Sequence, residues 1–161
     1  MKVIVSDTTS LIALEGLQAL DLLCAVFDSI LIPHAVLNEL VAGSPDIIHK
    51  IKATACIEII RLEPSEQLSS LQFVLDAGEA EAITLALEHQ LPILIDERKG
   101  RAIAQQKHLI VTGFAGLLLL AIRKNVLQPV SAQALLDQAI RNGFRMSDKL
   151  YQQVLAAYRV G

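Results

Sequence analysis

The sequence predicts an α/β fold, a three-layer α/β/α sandwich around a central, mainly parallel sheet. Short runs rich in β-branched residues alternate with longer segments that have helical spacing. This alternation is typical of parallel sheets that are covered by helices on both faces. The hydrophobic content is 53% but the aromatic content is only 4%. The core must therefore be built from aliphatic side chains, as is common in buried parallel sheets.

The chain has the size of one domain. Its 161 residues are enough to bury a substantial core, and no linker-like stretch, low-complexity stretch or repeat divides them. We expect a single domain over residues 1–161, in which residues 130–161 form a C-terminal helical extension.

The first half of the chain predicts three strands and four helices. The run KVIVS is β-branched and ends at Asp7, and CIEIIRL has the character of a strand that could lie at a sheet edge. Pro33 suits the first turn of a helix, and Gly43 to Pro45 stop that helix. The expected strands are Lys2–Ser6, Ser29–Ile32 and Cys56–Leu62, and the expected helices are Thr8–Leu14, Leu17–Phe27, Ala35–Ala42 and a segment ending near Lys52.

The second half predicts two strands and five helices. The run PILI is a compact apolar strand that ends at Asp96. Beyond Pro129 the pattern is helical to the end. The expected strands are Pro92–Ile95 and Leu109–Val111, and the expected helices are Ala80–His89, Arg98–Lys107, Phe114–Lys124, Ala132–Arg141 and Asp148–Tyr158.

Charge and hydropathy exclude several classes of protein. The net charge of −3 and the pI near 5.8 argue against a broad basic face for long nucleic acid, but they allow basic residues clustered locally beside an acidic site. The apolar run 113–122 is too short to span a bilayer, and polar residues interrupt the run 30–42. The first residues lack a signal-peptide profile. We therefore expect no membrane association and a cytoplasmic protein.

The two cysteines, Cys24 and Cys56, each stand alone in an apolar stretch. Neither belongs to a Cys-x-x-Cys pair, so a zinc site is not expected. The pattern favours buried free thiols.

Acidic residues stand where such a fold places its functional crevice, at the carboxyl ends of the strands. Asp7 follows the first strand, Asp96 follows PILI, and Glu39 lies in an apolar helix after the second strand. Glu79 and Glu81 open the helix of LDAGEAEAITLA. Clustered carboxylates repel one another unless they are protonated or bind a cation. Oxygen ligands alone favour Mg²⁺ or Mn²⁺, which can activate water against a phosphodiester.

Each acid also has a structural interpretation. Asp7 could cap the helix after it, Asp96 could cap the helix that starts near Arg98, and Glu39 could be solvated. Asp76-Ala77-Gly78-Glu79 has the spacing of a capping box. Glu79 shares a helix face with the predicted core, whereas Glu81 points roughly the other way. We expect only one of the two to reach the site, and we favour Glu79.

The segments VSDTTSLIAL, IPHAVLNELV, LDAGEAEAITLA, LIDERKGRAIA and VTG…GLLLLA together resemble the PIN-domain proteins. More narrowly, they resemble an uncharacterised prokaryotic branch described as predicted nucleic-acid-binding PIN proteins. The resemblance runs from about residue 2 to about residue 128 and continues to the end. It implies the three-layer fold and a metal-dependent ribonuclease, often the toxin of a toxin–antitoxin pair.

The resemblance also implies a set of site residues. It places the family's acidic cluster on Asp7, Glu39, Glu79 or Glu81, and Asp96. A supporting hydroxyl after the first acid is expected at Thr9 or Ser10. The chain departs from many PIN toxins at Ile95, where they have Thr or Ser, and Glu97 could be the residue in register with the last acid.

Basic residues follow the last acid directly. Arg98, Lys99 and Arg101 could hold phosphates that flank the scissile bond. The alternative is a solvated first helical turn. Because cations are mildly unfavourable at a helix N-terminus, their position favours the functional interpretation.

The sequence thus predicts a metal-dependent endoribonuclease that uses Mg²⁺ or Mn²⁺ and takes RNA as its substrate. Two other classes stay open: a non-catalytic binding module on the same scaffold, and a phospho-acceptor or phosphatase-like domain in which Asp7 is modified. The latter would usually need a second Asp close to Asp7. A cognate antitoxin is a possible partner. A C2 homodimer is expected because Leu17–Phe27 and Val36–Val41 offer more aliphatic surface than one sheet face needs.

Overall fold

The computed structural model describes residues 2–161. Within them, five parallel strands form one sheet in the order β3-β2-β1-β4-β5. The strands are β1 (Val3–Ser6), β2 (Ser29–Pro33), β3 (Ile57–Ile60), β4 (Ile93–Leu94) and β5 (Val111–Thr112).

Helices connect the strands and cover both faces of the sheet. Those of the first half are α1 (Thr8–Gly16), α2 (Asp21–Val26), α3 (His34–Gly43), α4 (Ile47–Ala53) and α5 (Glu66–Gln72). Those of the second half are α6 (Ala77–His89), α7 (Arg98–Gln106), α8 (Phe114–Arg123), α9 (Pro129–Arg141) and α10 (Asp148–Val160).

The sheet reverses its winding direction between β1 and β4, which are neighbours although far apart in sequence. Val5 pairs with Ile93 and Ser6 with Leu94, and the Asp7 amide donates to the Leu94 carbonyl at 2.9 Å. Such a reversal leaves a crevice at the carboxyl ends of the two strands. The residues that follow β1 and β4 therefore lie beside one another.

Successive residues of β1 serve opposite faces of the sheet, as strand geometry requires. Ile4 belongs to a core cluster with α1, α2, α8 and α9, whereas Val5 belongs to one with α5 and α6. Burial on both faces explains why the strands are apolar throughout rather than alternating. The predicted three-layer α/β fold is confirmed.

The prediction of secondary structure differs from the structure in a few places. The expected helix Leu17–Phe27 is limited to α2, because Gln18 adopts a positive φ and interrupts it. Helix α5 was not expected. It is short, and its main signal is Ser65, whose side chain accepts from the Leu68 amide as an N-cap.

The prediction of buried free thiols is wrong, because Cys24 and Cys56 form a disulfide. Cys24 is exposed within α2 and Cys56 is half-buried just before β3. The Ile30 amide of β2 donates to the Cys56 carbonyl at 2.8 Å, so strand pairing brings the two cysteines to a Cα–Cα distance of 5.5 Å. Their separation of 32 residues gives no sign of this in the sequence.

The surface that suggested a dimer is not exposed. The large aliphatic residues of Leu17–Phe27 and Val36–Val41 lie mostly inside the first core cluster, with Val36 0% and Leu40 1% exposed. The dimer argument from exposed apolar area is therefore wrong. No helix within residues 2–161 is long and apolar enough to cross a membrane.

The last two helices pack against α8. The Tyr158 hydroxyl of α10 donates to the Ala115 carbonyl at 2.7 Å, and Phe144, between α9 and α10, packs edge-on against Phe114 with ring centroids 5.2 Å apart. Residues 130–161 thus extend the wall beside the carboxyl end of β5.

Candidate active site

Asp7 is the most deeply placed acid of the crevice. It follows β1, is 3% exposed and occupies the N-cap position of α1, but its side chain makes no cap hydrogen bond. Of the buried side-chain N and O atoms in residues 2–161, only Asp7 Oδ1 lacks a hydrogen-bond partner. Burial raises the pKa of Asp7 to about 8 against the opposing effect of the Thr8 amide, and the negative charges of Glu79, Asp76 and Glu39 add smaller upward contributions. Helix capping does not explain this residue.

Glu79 lies in the first turn of α6, and its side chain faces the same crevice. It is 7% exposed. Asp76 caps α6 by accepting from the Glu79 amide at 2.8 Å, so the predicted cap is present. Burial and then the charges of Asp76 and Glu97 raise the pKa of Glu79 to about 7. A carboxylate so placed is costly without a counter-charge.

Glu39 reaches the crevice from α3 and is held by two donors. The Thr8 hydroxyl donates to Oε2 at 2.9 Å and the Gly78 amide donates to Oε1 at 3.1 Å. A Cβ at Gly78 would collide with this carboxylate, so a glycine is needed for α6 to approach Glu39. Burial and the nearby Asp76 raise the pKa of Glu39 against these two donors.

Asp96 follows β4 and is tied to two other elements. The Ser10 hydroxyl of α1 donates to Oδ2 at 2.8 Å, and the Phe114 amide donates to Oδ1 at 3.0 Å. Asp96 therefore caps α8, not the helix near Arg98. Burial raises the pKa of Asp96, and Phe114, Ser10 and Arg101 oppose that rise. A Cβ at Gly113 would collide with Oδ1.

The remaining predicted residues occupy different places. Glu81 is engaged by another element, because its Oε1 accepts from the Ala35 amide at the start of α3 at 3.0 Å. Glu97 is exposed at the N-cap of α7, near enough to Glu79 and Asp96 to raise the pKa of both. Thr9 is half-buried, and its hydroxyl makes no hydrogen bond to any described residue, whereas Ser10 binds Asp96.

The basic residues lie in the first turn of α7. Arg98 and Lys99 are exposed. Arg101 is half-buried, donates to the Ile95 carbonyl at 2.8 Å and has its positive charge close to Asp96. The chain therefore has a local basic edge beside the acids despite its negative net charge.

Sequence reasoning missed three contributors: Asp76, Thr8 and Gly78. Asp76 was considered only as a cap, yet its charge raises the pKa of Asp7, Glu39 and Glu79. Its position directly before the helix that carries Glu79 was the available signal. Thr8 and Gly78 are visible only once α1, α3 and α6 are packed together.

The donor set suits a hard divalent cation, since it consists of carboxylate oxygens, and the unpartnered Asp7 Oδ1 offers it a buried ligand atom. No three or more Asp, Glu, His or Cys side chains within residues 2–161 already stand in a ligating arrangement. Thr8 and Gly78 donate to Glu39, and Ser10 and Phe114 donate to Asp96, so both carboxylates already have donors within this chain.

One known protein family matches this sequence. A family model described as a PIN domain matches residues 3–159, which is nearly the whole chain and includes α9 and α10. No curated protein matches the sequence.

Proposed function

We propose that this chain, which belongs to the PIN-domain family, is a metal-dependent endoribonuclease. PIN domains form a superfamily of nucleases, so hydrolysis of a nucleic acid is the expected chemistry. The observation that carries the finer proposal is the buried Asp7 Oδ1, which lacks a hydrogen-bond partner among residues 2–161 while other acids surround it. Such an atom is costly unless something else satisfies it.

A Mg²⁺ or Mn²⁺ ion is the group that would satisfy it. Asp7, Glu39, Glu79 and Asp96 are the residues that would hold the ion, with Asp76 and Glu97 adding negative charge around them. When bound, the ion would polarise a phosphodiester and lower the pKa of a water molecule. Glu81 is left out of this set because it caps α3.

The chain's own residues hold and orient these acids. Ser10 fixes the Asp96 carboxylate, and Thr8 with the Gly78 amide fixes that of Glu39. Fixed orientation lowers the cost of assembling a site during the reaction. Thr9 has no such contact in the described part of the chain and is not proposed as a supporting residue.

The substrate side of the proposal depends on α7. Arg98 and Lys99 are exposed beside the crevice and would contact phosphates on either side of the scissile bond. Because the chain has a net charge of −3, binding relies on local groups of basic residues such as this one and not on a broad basic face. Single-stranded RNA is the substrate that the family resemblance supports.

Three further proposals accompany this function. They are a cytoplasmic location, a homodimer and a cognate antitoxin, so that the chain would be the toxin of a pair. Light scattering at micromolar concentration tests the dimer, and a purely monomeric mass would reject it. In a reducing cytoplasm the Cys24–Cys56 disulfide would be reduced to two thiols.

Cleavage of RNA tests the function itself. Purified protein with Mn²⁺ or Mg²⁺ should cut an end-labelled single-stranded RNA internally, and EDTA should stop the reaction. Asp7→Asn should lower the rate by at least about 100-fold with an unchanged far-UV circular dichroism spectrum. The matched control is Asp46→Asn, because Asp46 is exposed and makes no side-chain cap bond.

Two results would contradict the proposal. Full cleavage by Asp7→Asn would show that the activity belongs to a contaminant or to another site. An equal loss of cleavage rate in Asp46→Asn would show that the effect comes from the change in net charge and not from the loss of a carboxylate in the crevice.

A further inference from the structure

A cavity of about 450 Å³ lies beside the acidic crevice. Asp96 lines both. One wall is α8, and the other is formed by the segment between α9 and α10 together with the start of α10. The volume falls within the range of about 300–1,000 Å³ that small-molecule sites occupy. A group bound there would lie next to the reacting phosphate.

Positive charge collects around this cavity. Arg101, Arg123 and Arg145 line it from α7, from the end of α8 and from the segment before α10. Asp96 is the one acid in the lining, and it already accepts from Ser10 and Phe114. None of the three arginines forms an ion pair within residues 2–161. Guanidinium groups so placed suit the oxygens of a phosphate.

The floor of the cavity is apolar. Leu119 and Leu120 contribute from α8, and Phe144 and Met146 from the facing segment. Phe144 is half-buried, and its edge-on contact with Phe114 holds its ring in place. An aromatic ring and aliphatic side chains bordered by arginines form the environment in which an unpaired nucleobase stacks.

We propose that this cavity binds the nucleobase next to the scissile phosphodiester, and that Arg123 and Arg145 hold the phosphate on its far side. The proposal rests on the proposed function and deepens it. A base can enter only after it has left a helical stack, so the site selects single-stranded nucleic acid. An acidic peptide would match the arginines but would leave the apolar floor without a partner, which is why we favour a nucleotide.

Binding in EDTA tests this without cleavage. The probe is a fluorescein-labelled single-stranded oligoribonucleotide, measured by fluorescence anisotropy. Arg145→Gln and Leu150→Glu should each raise the Kd at least tenfold, because one removes a phosphate contact and the other puts a negative charge in the cavity. Arg145→Gln should also lower the slope of log K against log salt by about 0.7.

The chain offers a matched control for each change. Arg159→Gln removes the same charge from α10, and Val130→Glu adds the same charge at an exposed position of α9; neither residue lines the cavity. Both should leave the Kd within twofold of wild type. An equal loss in the controls would overturn the proposal, because net charge alone would then explain it.

Competition identifies the part of the nucleotide that enters the cavity. Adenosine monophosphate should displace the oligoribonucleotide at a concentration at least fivefold lower than ribose 5-phosphate, and Leu150→Glu should abolish that difference. Equal competition by the two, or displacement by poly-glutamate but not by the nucleotide, would overturn the proposal. Failure of the proposed function would instead appear as a lack of cleavage in Mn²⁺ by a protein that still binds in EDTA.

Discussion

Neutralising Asp7 should stabilise the metal-free protein although it removes the activity. The unfolded chain ionises Asp7 with a pKa near 3.8, whereas the folded protein raises that pKa to about 8. At pH 7 the folded state must therefore keep a proton that the unfolded state has released. At 1.36 kcal/mol per unit this costs roughly 4 kcal/mol. That figure is an upper limit for the relief in Asp7→Asn, because the amide must also find hydrogen-bond partners.

We expect Asp7→Asn to raise the unfolding free energy in EDTA at pH 7 by about 1–3 kcal/mol. For a chain of this size that raises the melting temperature by about 2–4 °C per kcal/mol. Mn²⁺ should stabilise wild type, since a ligand that binds only the folded state shifts the equilibrium toward it, and should stabilise Asp7→Asn much less. Calorimetry with and without Mn²⁺ measures both effects, and Asp46→Asn is the control.

The same linkage fixes the sign of the pH dependence. Because the folded pKa values of Asp7 and Glu79 lie above their unfolded values, the unfolding free energy in EDTA should fall as the pH rises from about 4. The fall should continue to about pH 7 for Glu79 and to about pH 8 for Asp7. The unfolding free energy of Asp7→Asn should change less with pH than that of wild type, most clearly between pH 7 and 8.

The opposite pattern would refute this reasoning. Asp7 would be a structural residue if two results were found together. In EDTA the melting temperature of Asp7→Asn would lie well below that of wild type, and Mn²⁺ would not change the melting temperature of wild type. Stability that rises between pH 5 and 8 in EDTA would show that Asp7 and Glu79 are ionised and satisfied without a cation.

Three more perturbations follow from particular contacts. Gly78→Ala should lower the cleavage rate at least tenfold, because a Cβ at this position displaces the Glu39 carboxylate. The control Gly43→Ala should be fully active, since a Cβ there meets nothing within 4 Å. Full activity in Gly78→Ala would contradict this reasoning. Asp96→Ala should lower the unfolding free energy by about 0.5–2 kcal/mol in urea titrations, since the Asp96 carboxylate caps α8. An unfolding free energy equal to or above that of wild type would show that this cap contributes nothing. The Cys24–Cys56 disulfide closes a loop of 32 residues, so its reduction should lower the unfolding free energy of wild type by about 3–4 kcal/mol. Dithiothreitol should not change the unfolding free energy of Cys24→Ser. Equal urea unfolding curves of wild type with and without dithiothreitol would count against the disulfide.

The sequence predicts the fold and the position of Asp7 and Asp96 at one edge of the sheet because both depend on local patterns. Apolar β-branched runs identify β1 and β4, and the rule for open parallel sheets then brings Asp7 and Asp96 to one edge. Helical periodicity separates Glu79 from Glu81, since residues two apart on a helix face different directions. These inferences need only residue spacing and the general geometry of strands and helices.

The features that the sequence does not reveal depend on packing between distant segments. Pairing of β2 with β3 brings Cys24 and Cys56 together, and the approach of α6 to α3 makes Gly78 necessary. The dimer argument failed for the same reason. An apolar segment such as Leu17–Phe27 indicates burial, but its sequence does not tell whether the covering surface belongs to this chain or to another.

The claim that the acidic crevice is a metal centre is tested most directly by locating the ion. Crystals grown with MnCl₂ should show an anomalous difference peak about 2.0–2.6 Å from Asp7 Oδ1, the range of oxygen ligation by Mg²⁺ and Ca²⁺. The peak should be absent from Asp7→Asn crystals grown in the same way. Wild-type crystals without a peak at Asp7, at a Mn²⁺ concentration that supports RNA cleavage, would contradict the account.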